Sequence, residues 1–249
     1  MIGIVGGVGP LAGLDIVKKI IEETKAVKDQ DHLPVLLSSQ PHRIADRTKY
    51  LVGLSDTNPA YAIAEIIQEL EKAGATVVAV PCNTAHAPQI FDVVKEELQK
   101  KGCTIKLLNL VEETANYITE TQGNITVGVL STTGTKNTGL YRHILQEKNL
   151  PTVEPDDELQ EAVHAAIYDE QYGIKAISSP VTNRARQELI NAIVALKQHG
   201  AQAVVLGCTE LPLALPDKEN SGLPLIDPNR ILARALVKSI DNEKLKTID

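Results

Sequence analysis

Short apolar runs alternate along the chain with longer stretches in which apolar residues recur every three or four positions. Continuous apolar runs are typical of parallel strands that are buried on both faces. The sequence has six such runs, which are IGIV, VLLSS, ATVVAV, TIKLL, ITVGVL and AQAVVL, near residues 4, 36, 77, 105, 127 and 204. The alternation predicts an α/β fold in which helices cover mainly parallel sheets.

Three of the longer stretches have the periodicity of amphipathic helices. Each ends at a glycine, which suits the C-terminus of a helix. They are NPAYAIAEIIQELEKAG, PQIFDVVKEELQKKG and VTNRARQELINAIVALKQHG.

The pattern also repeats within the chain. The segment AGATVVAVPCNT, residues 73–84, resembles HGAQAVVLGCTE, residues 199–210, and this places Cys82 and Cys208 126 positions apart. The N-terminal IGIVGGVG resembles VGVLSTTG, which begins at Val127, at almost the same spacing. The repeat predicts two pseudo-symmetric lobes, each a mainly parallel sheet flanked by helices.

The predicted lobes comprise residues 1–108 plus 210–249, with Cys82, and residues 109–209, ending just after Cys208. Each lobe has its cysteine and a loop of small residues at the carboxyl ends of its strands, which is where open α/β sheets bind ligands. We therefore expect the active site in the cleft between the lobes, with the two cysteines meeting there.

Charge and composition narrow the class of partner. A formal net charge of −7 and the lack of a Lys/Arg block argue against nucleic acid or an anionic membrane as the main partner and favour a small molecule. The N-terminal segment predicts a strand and turn rather than a signal peptide, and no apolar stretch is long enough to span a membrane. We expect a cytoplasmic protein whose cysteines are free thiols.

Cys82 and Cys208 are the strongest catalytic candidates. Each follows a buried strand and precedes a predicted helix, where partial positive charge favours the reactive thiolate. A lone cysteine in such a place is usually a packing residue, as we expect for Cys103, but equivalent positions in two repeats favour a chemical role. Two opposed thiols suit inversion at a carbon, since one removes the α-proton and the other delivers a proton to the opposite face.

Other residues are candidates for binding a carboxylate. Arg43 and Arg47 have the planar guanidinium that grips carboxylates, although a surface ion pair is the simpler interpretation of each. Lys175 offers a point charge. The loops at residues 6–10 and 131–135 present exposed N–H groups and hydroxyls, although tight-turn geometry explains the glycines equally well.

The sequence predicts neither a metal nor a cofactor. The histidines show no spacing typical of a metal site, and His86 suits a helix cap at least as well as a role beside Cys82. No lysine motif for pyridoxal phosphate is present. A dinucleotide site at Gly7 and Gly9 is disfavoured because Ala12 replaces the third glycine of that motif.

Five motifs in order resemble the aspartate/glutamate racemase superfamily, aspartate racemase branch. They are IGIVGGVGP, ADRT, PCNTAH, STTGT and GCTEL, and the resemblance runs from residue 2 to about residue 227. It implies a homodimeric, two-lobed α/β enzyme with Cys82 and Cys208 as the acid/base pair. The substrate contacts it implies are Arg47, Asn83, Thr84, Thr132, Thr133 and Thr209, together with Lys175 on a looser motif.

Two features favour the aspartate branch over glutamate racemases, which usually have a DSG loop near the start and a histidine after the second Cys-Thr. This chain has GGVG and Glu210. One departure is Ala45, where the aspartate branch more often has a proline.

The function we expect is cofactor-independent racemisation of an acidic amino acid, L-aspartate to D-aspartate. A broad-specificity aspartate/glutamate racemase, a cysteine-dependent maleate-type isomerase and a catalytically inactive acidic amino-acid-binding protein remain open alternatives.

Overall fold

The computed structural model describes residues 1–247 and divides the chain into two compact units. The first comprises Met1–Glu113 and the segment that begins at Asn229, and the second is Thr114–Pro228. Each unit has a mainly parallel sheet flanked by helices, so the predicted α/β class is confirmed.

The first unit has a four-stranded parallel sheet in the order β2-β1-β3-β4. Its strands are β1 (Ile2–Gly6), β2 (Val35–Ser39), β3 (Val77–Ala79) and β4 (Lys106–Leu107). Its helices are α1 (Pro10–Glu23), α2 (Arg47–Leu51), α3 (Ala60–Lys72) and α4 (Pro88–Lys100), and α5 (Leu110–Gln122) follows.

The second unit has a five-stranded sheet in the order β6-β5-β7-β9-β8, parallel except for the pair β8-β9. Its strands are β5 (Val127–Ser131), β6 (Thr152–Val153), β7 (Ala203–Gly207), β8 (Glu219–Asn220) and β9 (Leu223–Ile226). Its helices are α6 (Thr133–Asn137), α7 (Leu140–Glu147), α8 (Asp157–Tyr168), α9 (Asn183–Gln198) and α10 (Leu211–Ala214), and α11 (Pro228–Ile240) follows.

Residues 109–113 fall in the first unit, whereas we expected them in the second. Residues 210–228 fall in the second unit, whereas we expected them in the first. The reason is the pairing of β9 with β7, in which Val204 lies opposite Leu225 and Val205 opposite Ile226. β9 was not among the predicted strands, because a proline interrupts its short apolar run.

Each unit buries its own apolar core. In the first, Ile63, Ile67 and other apolar residues of α3 pack against β1 and β3. In the second, Leu189, Ile193 and other residues of α9 pack with β7 and α8. The predicted helices therefore form because their apolar stripes are covered by the sheets.

Strand register fixes which loops lie side by side. In the first sheet Ile4 lies opposite Ala79, so that the loop after Gly6 and the residues before Cys82 leave the same edge. In the second sheet Ser131 lies opposite Gly207, so that Thr132 and Cys208 leave the sheet together. Each unit thus brings its cysteine beside its loop of small residues, as the repeat predicted.

Candidate active site

Cys82 lies in the segment that connects β3 to α4. It directly precedes a 3-10 helix, Asn83–His86, and its side chain belongs to the core of the first unit. The residue is 6 % exposed. Asn83 and Thr84, which the resemblance implies as substrate contacts, are also buried in this turn.

His86 fixes the backbone of this turn. Its Nδ1 lies 2.8 Å from the carbonyl oxygen of Cys82, and its ring packs at 4.6 Å from that of Phe91. Burial lowers the pKa of His86 to about 4, against the opposing effect of the Cys82 and Leu108 backbone. The ring is therefore neutral near pH 7, and Nδ1 donates to the carbonyl because a carbonyl only accepts.

Arg47 is the first residue of α2, which packs against the 3-10 helix after Cys82. Its Nη2 donates to the carbonyl of Val8 at 2.5 Å, and its Nη1 donates to that of Ala45 at 3.3 Å. Asp46 caps α2 by accepting from the N–H of Lys49. The guanidinium is thus held by the loop that follows β1, on the side of the sheet where Cys82 lies.

One glycine of this loop, Gly7, is required by the backbone conformation. Gly7 has a φ of +83°, and a Cβ at this position would lie 2.6 Å from the backbone nitrogen of Pro41. Only glycine fits there. Tight-turn geometry, the alternative interpretation of the GGVG sequence, therefore accounts for Gly7.

Cys208 follows β7 and precedes α10. It is 6 % exposed, the same fraction as Cys82. Its Sγ donates to Oε2 of Glu210 at 3.0 Å, and the hydroxyl of Thr209 lies 3.4 Å from the same oxygen. The second cysteine is therefore in direct contact with a carboxylate.

Lys175 pairs with the other oxygen of that carboxylate. Its Nζ lies 2.6 Å from Oε1 of Glu210 and 5.2 Å from the centre of the Tyr168 ring. The lysine side chain is 26 % exposed and the glutamate side chain 7 %. Burial alone would lower the pKa of Lys175, but the charge and hydrogen bond of Glu210, together with the charges of Cys208 and Tyr168, outweigh burial and raise that pKa.

Several groups besides the helix start act on the pKa of Cys208. We expected the helix start to favour the thiolate, and the backbone of Glu210 does lower the pKa. The positive charge of Lys175 also lowers this pKa. Burial and the carboxylate of Glu210 act in the opposite direction, outweigh both effects and raise the pKa of Cys208 well above its usual value. Cys208 is therefore a thiol near neutral pH.

Thr132 and Thr133 begin α6, beside Cys208. The hydroxyl of Thr132 caps this helix by accepting from the N–H of Thr135 at 3.3 Å. The N–H of Thr133 points to Nδ1 of His164 at 3.4 Å. The structure thus gives Thr132 a capping role in addition to the substrate contact that the resemblance implies.

Arg43 and Cys103 lie outside the two turns that contain Cys82 and Cys208. Arg43 forms ion pairs with Glu65 at 2.8 Å and Glu69 at 2.6 Å. These contacts agree with the simpler interpretation of Arg43 as part of a surface ion pair. Cys103 is partly buried against the core of the first unit.

Sequence reasoning missed the importance of Glu210 beyond its value as a family marker. An acidic residue at the start of a helix is common, so only the pairing with Lys175, 35 positions away, distinguishes it.

Comparison with known proteins decides the family. The family model described as Asp/Glu/Hydantoin racemase matches residues 5–236. The chain belongs to this family. The enzyme class expected from the sequence, an isomerase of the amino-acid racemase type, is confirmed with it.

Individual relatives agree with this assignment. The chain is 30 % identical to the aspartate racemase of Picrophilus torridus, with a TM-score of 0.79 over 96 % of this chain and 93 % of that one. It is 28 % identical to the broad specificity amino-acid racemase RacX of Bacillus subtilis, over 96 % of this chain and 97 % of RacX. The glutamate racemase of Francisella tularensis, at 18 % identity and a TM-score of 0.67 over 100 % of this chain and 84 % of that one, shares the fold.

Within residues 1–247, no helix has the length and apolar character needed to cross a membrane. The same residues contain no group of three or more His, Cys, Asp or Glu side chains placed to hold a metal ion.

Proposed function

We propose that this racemase interconverts L- and D-aspartate and that Cys82 and Cys208 are its acid/base pair. The observation that carries the proposal is the equivalent placement of the two buried cysteines, each at the carboxyl end of the central pair of strands in its unit. The full-length similarity to an aspartate racemase at 30 % identity supports the choice of substrate.

The reaction needs two proton transfers on opposite faces of Cα. The thiolate of one cysteine removes the α-proton and becomes a thiol, and the thiol of the other gives its proton to the carbanion and becomes a thiolate. One proton leaves the substrate and one enters, so no oxidant or reductant is required. Each sulfur must come within about 3.5 Å of Cα in the bound state.

Arg47 is proposed to hold a carboxylate of the substrate. Its guanidinium is oriented by two backbone carbonyls and lies on the helix that packs against the turn after Cys82. Asn83, Thr84, Thr132, Thr133 and Thr209 are proposed as further polar contacts, since they flank the cysteines or the loop beside Cys208.

A wider substrate range is the second candidate. The chain is similar over nearly its whole length to the broad specificity racemase RacX. The ammonium of Lys175, proposed to contact a second carboxylate of the substrate, is already balanced by Glu210. A substrate without a side-chain carboxylate would therefore leave no unbalanced charge at this position.

Chiral chromatography of the reduced enzyme with separate L-amino acids tests both candidates. Aspartate racemisation well above that of glutamate and neutral amino acids supports the first, and comparable rates across the set support the second. Binding of aspartate without any D-isomer would indicate the binding-protein alternative, and conversion of maleate to fumarate the isomerase alternative. Sedimentation of the same sample checks the expected homodimer.

A further inference from the structure

The most informative unassigned feature of the second unit is a chain of three charged or ionisable groups. Cys208 donates to one oxygen of Glu210 at 3.0 Å, and the other oxygen of that carboxylate accepts from Lys175 at 2.6 Å. The thiol and the carboxylate are buried, while the ammonium lies on the more exposed side. The oxygen that accepts from Cys208 also accepts from the hydroxyl of Thr209 at 3.4 Å, so the carboxylate is held by donors on both of its oxygens.

This geometry distinguishes the two protonation states of Cys208. A thiol supplies the hydrogen that the carboxylate accepts. A thiolate would place a second negative charge 3.0 Å from Oε2, in surroundings where burial strengthens the repulsion. Lys175 fixes the orientation of the carboxylate through its hydrogen bond, while its positive charge partly offsets the repulsion.

We propose that Glu210 is a positioning residue that holds Cys208 in its thiol form between turnovers, against the opposing charge of Lys175, so that Cys208 enters the reaction as the proton donor. The proposal rests on the proposed function of Cys208 and goes beyond it by assigning its starting state. When Cys208 protonates Cα, its S–H bond breaks and its hydrogen bond to Glu210 is lost. The reverse reaction, or a proton from water, restores both.

Two tyrosines of the second unit also interact with Cys208 or with Lys175. Tyr141 is fully buried, and its pKa is raised chiefly by burial, with Cys208 and Asp227 adding to the effect. Tyr168 lies beneath the ammonium of Lys175. Of the groups that act on Cys208, Glu210 raises its pKa and Lys175 lowers it, which gives the two substitutions opposite signs.

The test measures the ionisation of Cys208 directly. In a chain with Cys82→Ser and Cys103→Ser, Cys208 is the remaining thiol, and its ultraviolet thiolate absorbance is followed against pH. Adding Glu210→Gln should move the midpoint to lower pH by about one pH unit, because it removes a negative charge in direct contact. Adding Lys175→Met should move it to higher pH, because it removes the opposing positive charge.

Matched controls come from ion pairs elsewhere in the second unit. Glu154→Gln removes a carboxylate that pairs with Arg142, and Lys136→Met removes an ammonium that pairs with Asp157. Neither should move the midpoint. Circular dichroism identifies any variant that fails to fold, and because the two test variants shift in opposite directions, either one alone tests the proposal.

Shifts of opposite sign would support the proposal. An unchanged midpoint in a folded Glu210→Gln or Lys175→Met chain would overturn it. No substrate is present in this experiment, so the outcome is independent of whether aspartate is the substrate. Failure of the proposed function would appear separately, as a lack of racemisation by the unmodified chain.

Discussion

The turns that contain the two cysteines have the same position in their sheets but different chemistry around the sulfur. After Cys82 the chain continues with Asn83 and Thr84, and the nearby histidine is neutral and holds the Cys82 carbonyl. After Cys208 it continues with Thr209 and Glu210, and a carboxylate contacts the sulfur. A shared fold has thus placed two equivalent thiols in surroundings that differ by one buried negative charge.

The difference matters because a two-thiol racemase needs one acid and one base at the start of each turnover. Two identical turns would give the thiols equal tendencies to ionise. The residue two positions after the cysteine, which is Thr84 in the first turn and Glu210 in the second, supplies the difference in charge. We infer that this difference makes Cys208 the donor.

The largest expected effect comes from removing either thiol. We expect Cys82→Ser and Cys208→Ser each to lower kcat for aspartate by about 1,000-fold or more, because a serine hydroxyl is a far weaker acid and base than a thiol. Chiral analysis of aspartate measures the loss. Cys103→Ser, at the cysteine outside both turns, is the control. Substantial activity in both single variants would contradict the shared role.

A substitution at Arg47, near Cys82, tests its proposed contact with a carboxylate of the substrate. Arg47→Lys keeps the charge but loses the fork that binds two carboxylate oxygens, so we expect KM for aspartate to rise by about 10-fold to 100-fold. Arg43→Lys, on the surface ion pair four residues earlier, should leave KM unchanged. Equal effects of the two substitutions would remove Arg47 from the site.

His86 makes the stability of the first turn depend on pH. Its pKa of about 4 lies below the ordinary value of 6.5, so the unfolded chain binds a proton before the folded one does as the pH falls. The stabilisation is complete above pH 6.5 and is lost on acidification. Between pH 7 and pH 5 the loss is about 2 kcal/mol.

Urea unfolding at the two pH values checks this prediction. In His86→Gln the amide does not titrate, so the pH dependence of the free energy of unfolding should be smaller than in the unmodified chain by that amount. An identical pH dependence in the two proteins would contradict a buried neutral histidine.

Thr132 gives the smallest expected effect, in the loop beside Cys208. Thr132→Ala removes the hydroxyl that caps α6 and should lower the free energy of unfolding by about 1 kcal/mol. Thr132→Ser retains the cap and should restore most of it. If both variants lose the same amount, the cap is not the source of the stabilisation.

Much of the fold was predictable because burial imposes regular patterns on sequence. The runs around Ile4 and Val204 are apolar since both faces of their strands are covered, and Gly74 and Gly200 end helices with a positive φ. The short strands β6, β8 and β9 were missed. Two to four residues form no periodicity, and their pairing depends on partners distant in the sequence.

The sequence was enough to choose the two cysteines of the candidate site, but it did not reveal the ionisation state of Cys208. Repetition identified Cys82 and Cys208 as equivalent. The state of Cys208 depends on Lys175, which approaches Glu210 only because the segment after α8 folds back over the second sheet's core. Such a contact between separate segments leaves no local trace in the sequence.

Proton NMR in heavy water follows the proposed exchange of the α-proton by the two thiols itself. The reduced enzyme is incubated with L-aspartate, and the α-proton signal is followed together with the chirality of the product, beside samples that contain Cys82→Ser or Cys208→Ser. We expect loss of the α-proton signal with formation of deuterated D-aspartate by the unmodified enzyme and no D-aspartate with either variant. Persistence of the signal in the unmodified enzyme, or full D-aspartate formation by a variant, would contradict it.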